Sequence, residues 1–270
     1  MGYNPYGINV NPLTNMIYVA NYGDWVFSNT VSVINGTTNK VIANVVVGKN
    51  PTAVSVNPLT NMVYVTKNDD NLVSVINGTT NKVITNVVVG YAHTSHGSIS
   101  VNPLTNMIYV ANHKDNTVSI INGTTNTVIV TIPVGVDPNA ISVNPLTNVI
   151  YVGNNDDTVS VINGTTNRVI SAVPVGVANV SVNPLTNMIY VANNDENTVS
   201  VINGTTNSVI NPYDKAPLTA IAHTYNGHHN PGGTVKHYDK VQKICKSLSV
   251  TSFNQNIDST KKCELAVLAK

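Results

Sequence analysis

The hydrophobic pattern of this chain consists of short apolar runs separated by clusters of Asn, Pro, Gly, Thr and Asp. Residues 53 to 89 contain four such runs of four to seven residues, each bounded by residues that favour turns. A continuous apolar run rich in Val, Ile and Thr is typical of a β-strand that is covered on both faces. The pattern therefore predicts a four-stranded antiparallel meander for this unit.

The same unit occurs five times. The motif NPLTN begins at Asn11, Asn57, Asn102, Asn144 and Asn183, so successive copies are 46, 45, 42 and 39 residues apart. The motif NGTTN begins at Asn35, Asn77, Asn122, Asn163 and Asn203. A period of this length with four strands in each repeat predicts an all-β fold, a β-propeller of four-stranded antiparallel blades.

The two motifs predict where the loops of each blade lie. In NPLTN, proline presets the first turn position and the closing Asn adopts a positive φ, while Asn-Gly in NGTTN is a strong hairpin signal. In a meander, the turns between the first and second and between the third and fourth strands share one edge of the sheet. We call this the uniform edge, because both motifs lie there. The loops between the second and third strands and the connectors between blades form the opposite, variable edge.

The repeat also sets the predicted domain organisation. Residues 1 to 210 form one domain of five propeller repeats, and residues 211 to 270 are interpreted as a degenerate sixth blade. The alternative is a C-terminal tail with a helix, because Val235, Tyr238, Val241, Ile244 and Leu248 have helical spacing. A disulfide between Cys245 and Cys263 would favour the tail, since the blade places these residues too far apart to bond.

Composition limits the classes of partner. Only 10% of the residues are charged and the formal net charge is +1, so no basic stripe for nucleic acid is present. No apolar run reaches the length of a membrane-spanning helix. The first residues lack the basic and apolar regions of a signal peptide, so we expect any export signal to lie outside this chain. The expected partners are therefore a protein or a glycan, or a second copy of the chain if the ring of blades is not closed.

The repeat resembles a known family. Tyr64-Val65-Thr66-Lys67, followed by Val-Ser-Val-Ile-Asn-Gly-Thr-Thr-Asn, is similar to the YVTN repeat, and the resemblance covers residues 7 to 210. That family includes propellers of archaeal surface-layer proteins and of secreted bacterial proteins. The resemblance implies the propeller fold and an extracellular or cell-surface location, and it implies little about activity.

Candidate site residues lie on both edges. Six asparagines begin N-glycosylation sequons: Asn35, Asn77, Asn122, Asn163, Asn179 and Asn203. On the variable edge, Tyr22, Trp25 and Phe27 are candidate anchors for a partner or a sugar. His93 and His96 lie in a connector of that edge, where we found no third metal ligand. The other loops contain clusters of acidic and amide residues. We interpret these as turn residues, and calcium ligands are the alternative.

These observations predict a non-catalytic module for interaction or surface scaffolding, extracellular or at the cell surface, that is not an enzyme and has no cofactor. The alternative is a propeller enzyme of the lyase or lactonase kind, with His93 and His96 at the mouth of the channel. A third hypothesis is a metal carrier that uses the tail histidines His223, His228, His229 and His237.

Overall fold

The computed structural model describes residues 2 to 23, 29 to 68, 71 to 91, 98 to 176, 179 to 193 and 197 to 210. Within these ranges the chain forms twenty β-strands and a single 3-10 turn at His113–Asp115. The strands are β1 (Pro5–Asn11), β2 (Met16–Asn21), β3 (Thr30–Asn35), β4 (Lys40–Val46), β5 (Pro51–Asn57), β6 (Met62–Lys67), β7 (Leu72–Asn77), β8 (Lys82–Val88), β9 (Ile99–Asn102), β10 (Met107–Asn112), β11 (Thr117–Asn122), β12 (Thr127–Pro133), β13 (Pro138–Asn144), β14 (Val149–Asn154), β15 (Thr158–Asn163), β16 (Arg168–Pro174), β17 (Asn179–Asn183), β18 (Met188–Asn193), β19 (Thr198–Asn203) and β20 (Ser208–Ile210).

The strands form five separate antiparallel sheets, each made of four strands that are consecutive in the chain. The first strand of each sheet contacts the first strand of the next sheet, from β1 to β5 and onwards to β17. The sheets are therefore successive blades of a β-propeller, as predicted. The prediction for residues 211 to 270, whether blade or tail, and the two cysteines lie outside the described residues.

Each blade has two different apolar faces. In the second strand of blade one, Tyr18 and Ala20 point to one side, whereas Ile17 and Val19 point to the other, as the alternation of a strand requires. We call the first side the tyrosine face and the second the isoleucine–valine face. The apolar runs in the sequence are unbroken because both faces of a blade pack against neighbouring sheets.

The tyrosine face of each blade packs on the isoleucine–valine face of the next blade. Between blades one and two, Tyr18, Val31 and Val33 form one cluster with Val63 and Ile76, and all five side chains are buried. Three further clusters repeat this arrangement, with Tyr64, Tyr109 and Tyr151 in the position of Tyr18. Apolar burial between neighbours is therefore the main source of stability, as in other repeat proteins.

A chain of asparagine hydrogen bonds joins the blades along the uniform edge. The buried Asn57 donates through Nδ2 to Oδ1 of Asn106 in the next blade over 2.7 Å. Its own Oδ1 accepts from the backbone N–H groups of Leu59 at 3.0 Å and Thr60 at 3.4 Å. The same bond between blades, at 2.7 to 2.8 Å, joins the pairs Asn11 and Asn61, Asn102 and Asn148, and Asn144 and Asn187. We call this series the asparagine ladder.

The predicted turns are confirmed in both motifs, because NPLTN and NGTTN each connect two antiparallel strands. The closing Asn of NPLTN has a positive φ, for example 54° at Asn15. In NGTTN it is again the closing residue, Asn39 with φ 55°, that takes the left-handed conformation, and not Gly36. The glycine of NGTTN is needed for another reason, because a residue with a Cβ would collide with neighbouring side chains. A Cβ at the equivalent Gly78 would lie 2.6 Å from Oδ1 of Asn61 and 2.7 Å from Oη of Tyr18 in the preceding blade.

Replacing Asn57 by Ala should lower the free energy of unfolding by about 1 to 3 kcal/mol, because the blade contact is lost and Oδ1 of Asn106 stays without its donor. The matched control is Asn183→Ala. Asn183 makes the same two turn bonds, at 3.0 and 3.4 Å, but no bond to another blade within the described chain. Urea unfolding of dilute protein should show a clearly smaller loss for the control, and equal losses would contradict a role for the ladder.

The buried tyrosines should make the free energy of unfolding fall as the pH rises above 10. Burial raises the pKa of Tyr64, Tyr109 and Tyr151 to about 12 from an ordinary value of 10.0. Below the ordinary pKa both states keep the proton. Above it the unfolded state releases a proton that the folded state retains, so stability falls by about 1.4 kcal/mol per pH unit for each such tyrosine.

The variant Tyr109→Phe should therefore unfold near the parent's urea midpoint at pH 7, because its Oη has no hydrogen-bond partner within the described residues. Above pH 10 its stability should decline less steeply than that of the parent. Urea midpoints measured across the alkaline range test this. Parallel declines in the two proteins would show that this hydroxyl is not protected in the fold.

Candidate functional site

The variable edge is held in shape by one asparagine at the end of the second strand of most blades. Nδ2 of Asn21 donates to Oγ of Ser32 at 3.0 Å and to Oγ1 of Thr30 at 3.1 Å. Asn112, Asn154 and Asn193 make the equivalent bonds in blades three, four and five. Blade two differs, because Lys67 occupies this position and is 4% exposed. The loops of the edge thus start from fixed points while their sequences vary.

An aromatic cluster lies where blade one reaches the variable edge. The rings of Tyr6 and Tyr22 are tilted by 40° with centroids 5.9 Å apart. The backbone N–H of Tyr22 donates to the carbonyl oxygen of Asn4 at 2.9 Å, which joins the start of β1 to the loop after β2. Tyr3 nearby in the sequence is 73% exposed and Tyr6 is 37% exposed. We call Tyr3, Tyr6 and Tyr22 the aromatic corner.

Burial of its ring, and secondarily the charge of Tyr22, raise the pKa of Tyr6. The hydroxyl of Tyr6 is therefore a neutral donor and acceptor at physiological pH. A tyrosine offers a flat apolar ring with a polar tip, which suits partners that are apolar on one side and hydroxylated on the other. The sequence analysis identified Tyr22 but missed Tyr6, because only the antiparallel pairing of β1 with β2 brings the two rings together.

The structure also brings together a histidine and a carboxylate that the sequence analysis did not pair. Nδ1 of His113, in the loop of blade three, lies 3.4 Å from Oδ1 of Asp137 in the connector to blade four. His113 is 9% exposed. When protonated, the imidazole forms an ion pair with this carboxylate, and when neutral it is a candidate proton acceptor. The signal in the sequence was weak, since the two residues belong to different repeats.

Two acidic loop residues, Asp115 and Asp156, cap backbone groups of the connectors. Oδ2 of Asp115 accepts from the N–H of Tyr91 at 2.7 Å, and Oδ2 of Asp156 accepts from the N–H of Val136 at 2.9 Å.

Within the described part of the chain no three His, Cys, Asp or Glu side chains come together as metal ligands. Nor does it contain a helix long and apolar enough to cross a membrane.

The five repeated sequon asparagines lie in the turns of the uniform edge. Oδ1 of Asn77 accepts from the backbone N–H groups of Thr79 at 2.9 Å and Thr80 at 3.0 Å. Asn35, Asn122, Asn163 and Asn203 accept the corresponding bonds. Asn179 is exposed at the start of β17. The remaining candidates, Trp25, Phe27, His93 and His96, lie outside the described residues.

The five packed blades define the class of protein as β-propeller, and comparisons with known proteins agree. No family model and no curated protein match the sequence. Among solved structures, the chain is similar to hydrazine synthase from Kuenenia stuttgartiensis at 18% identity and a TM-score of 0.63, over 74% of this chain and 63% of that chain. It thus spans less than two thirds of the matched chain.

A second solved structure, a functionally unknown protein from Desulfotomaculum acetoxidans DSM 771, matches at 16% identity and a TM-score of 0.63. That match covers 77% of this chain and 70% of the other. Both similarities are at low identity and show the fold alone.

One prediction must be corrected. We predicted that the chain is not an enzyme, and the match to hydrazine synthase, an enzyme, contradicts this. The prediction came from the lack of a motif for a nucleophile or a metal in the sequence. A propeller can instead build a site from single residues of several blades, which a motif search does not detect. The contact of His113 with Asp137 across two repeats is an example of such assembly.

Proposed function

We propose that this chain is an interaction or surface-scaffold module of the cell surface or the extracellular space, and that it binds a protein or a glycan on its variable edge. The ring pair of Tyr6, which is 37% exposed, and Tyr22, which is partly exposed, carries this proposal. The resemblance to the YVTN repeats of archaeal surface-layer proteins supports the location. The low charge of the chain, 10% of its residues, favours recognition by rings and amides over recognition by ion pairs.

The two edges suit two different roles. The uniform edge repeats the same turns five times, so it offers no position that distinguishes one ligand. On the variable edge, by contrast, the loops differ between blades and the aromatic corner occurs in blade one alone among the described residues. Rigid aromatic side chains that lose little conformational entropy are the usual anchors of such contacts. We therefore place the ligand at the aromatic corner.

Replacing Tyr22 or Tyr6 by Ala should weaken ligand binding by tenfold or more, about the 1.4 kcal/mol or more that an aromatic anchor contributes. The probes are an array of immobilised oligosaccharides and cell-envelope material from the producing cells. Tyr91→Ala is the matched control, because Tyr91 is a 40% exposed tyrosine on the same edge. Binding that both corner variants retain in full would refute the placement of the ligand.

We further propose that the sequons of the uniform edge carry glycans when the chain is exported. In each of the five repeated sequons the asparagine accepts hydrogen bonds through Oδ1, while its Nδ2, the atom that a glycan would modify, makes no hydrogen bond to the described residues. These five sequons share one edge, so their sugars would cover that side and leave the variable edge accessible.

Secretion from a host that glycosylates asparagine should therefore give protein heavier than its 28.7 kDa polypeptide. Asn77→Gln and Thr79→Ala each break one sequon, and each should lose one glycan mass. Thr80→Ala is the control, because Thr80 follows the sequon and should leave the mass of the glycans unchanged. An unmodified polypeptide mass for the secreted parent would contradict the proposal.

A further inference from the structure

The first and the last of the described blades each have one apolar face that no other described blade covers. Inside the chain, a tyrosine face meets an isoleucine–valine face four times, and each meeting buries its apolar residues. Among the described residues, no blade follows the tyrosine face of blade five, and none precedes the isoleucine–valine face of blade one. Within the described residues, strands of blades one and five do not make the extensive contacts that successive blades make.

The tyrosine face of blade five is open. Val199 is 60% exposed, although the equivalent Val159 of blade four is completely buried. Tyr190 is partly exposed, whereas the equivalent Tyr151 is completely buried. The residue types are the same at both positions, so the difference follows from the lack of a following blade among the described residues and not from the sequence of the blade.

The isoleucine–valine face of blade one is open in the complementary way. Ile8 is 49% exposed and Val10 is 46% exposed. The equivalent Val54 and Val56 of blade two are 6% and 7% exposed, because blade one covers them. An apolar face of this kind on a soluble protein usually marks a surface that binds another protein.

The asparagine ladder ends at the same two faces. Asn144 is buried and donates to Asn187 of the next blade, but the equivalent Asn183 of blade five is partly exposed and has no acceptor in another blade of the described chain. At the other end, Asn15 is exposed, and within the described residues no donor from another blade reaches its Oδ1. One end therefore offers the donor of a ladder bond and the other offers its acceptor.

We propose that the tyrosine face of blade five docks on the isoleucine–valine face of blade one in a second copy of the chain, head to tail. The second copy is the occupant that the observations favour, because its blade one supplies each element that an internal interface uses. These are the apolar residues Ile8 and Val10 against Val199, and the acceptor Asn15 for the donor Asn183. The net charge of +1 gives little repulsion between copies.

This contact is heterologous, since it joins two different surfaces of the same chain. It uses neither the aromatic corner nor the sequons, so it is independent of the function proposed above. Unlike the symmetric contact of a typical dimer, it leaves one free tyrosine face and one free isoleucine–valine face on every assembly that does not close. Further copies are then added at both ends as the protein concentration rises.

Substitutions at the two faces test the proposal with the full-length chain. Val199→Asp blocks the tyrosine face of blade five, and Ile8→Asp blocks the isoleucine–valine face of blade one. Val46→Asp is the control, because Val46 is 72% exposed on the outer strand β4, and the equivalent Val88 of blade two stays 71% exposed although blade one covers that blade. Light scattering after size exclusion, across a wide range of concentration, gives the mass of each species, and circular dichroism verifies that each variant is folded.

The parent and the control should grow beyond the 28.7 kDa of one chain as concentration rises, and each face variant alone should remain at that mass. An equimolar mixture of the two face variants should form a species of twice that mass, since each variant keeps the face that the other has lost. A parent that remains at the mass of one chain, which would indicate that other residues of the same chain cover the faces, would overturn the proposal. So would a mixture that forms no dimer.

Discussion

The structure depends on the packing of one sheet on the next. Each blade is a four-stranded meander with apolar residues on both faces, and such a sheet cannot bury them alone. The tyrosine face of one blade supplies the cover for the isoleucine–valine face of the next, and four clusters of this kind hold the five blades together. Stability is therefore a sum over neighbouring pairs, and the terminal blades differ from the internal ones in burial more than in sequence.

The asparagine-rich composition follows from the same constraint. Asparagines close the turns with positive φ, accept backbone hydrogen bonds within those turns, and donate across the blade interface, as Asn57 does to Asn106. These roles satisfy buried polar groups of the uniform edge without charge. The loops of the variable edge do not form the asparagine ladder, so their sequences can differ between blades. Tyr6 contacts Tyr22 on that edge, and His113 contacts Asp137 there.

Much of the fold could be predicted from the sequence. The apolar runs of the repeat indicate strands that are buried on both faces, and the two asparagine-rich motifs indicate the turns between them. The closing asparagines of NPLTN and the hairpin at NGTTN were predicted correctly, but the close approach of Tyr18 to Gly78 was not predicted. Contacts between repeats were not predictable, since five near-identical copies do not reveal which copy meets which. For that reason the ladder and the contact of His113 with Asp137 were missed, and the absence of a motif led to the wrong prediction about catalysis.

A double-mutant cycle across the interface between blades three and four tests the central claim most directly. Tyr109 and Ile150 belong to different blades and to one buried cluster. If the blades stabilise each other through these faces, the losses of unfolding free energy in Tyr109→Ala and Ile150→Ala should not add, and the coupling energy should be about 0.5 to 3 kcal/mol. Losses that add within the error of the measurement would mean that the two faces fold independently, and would contradict this account.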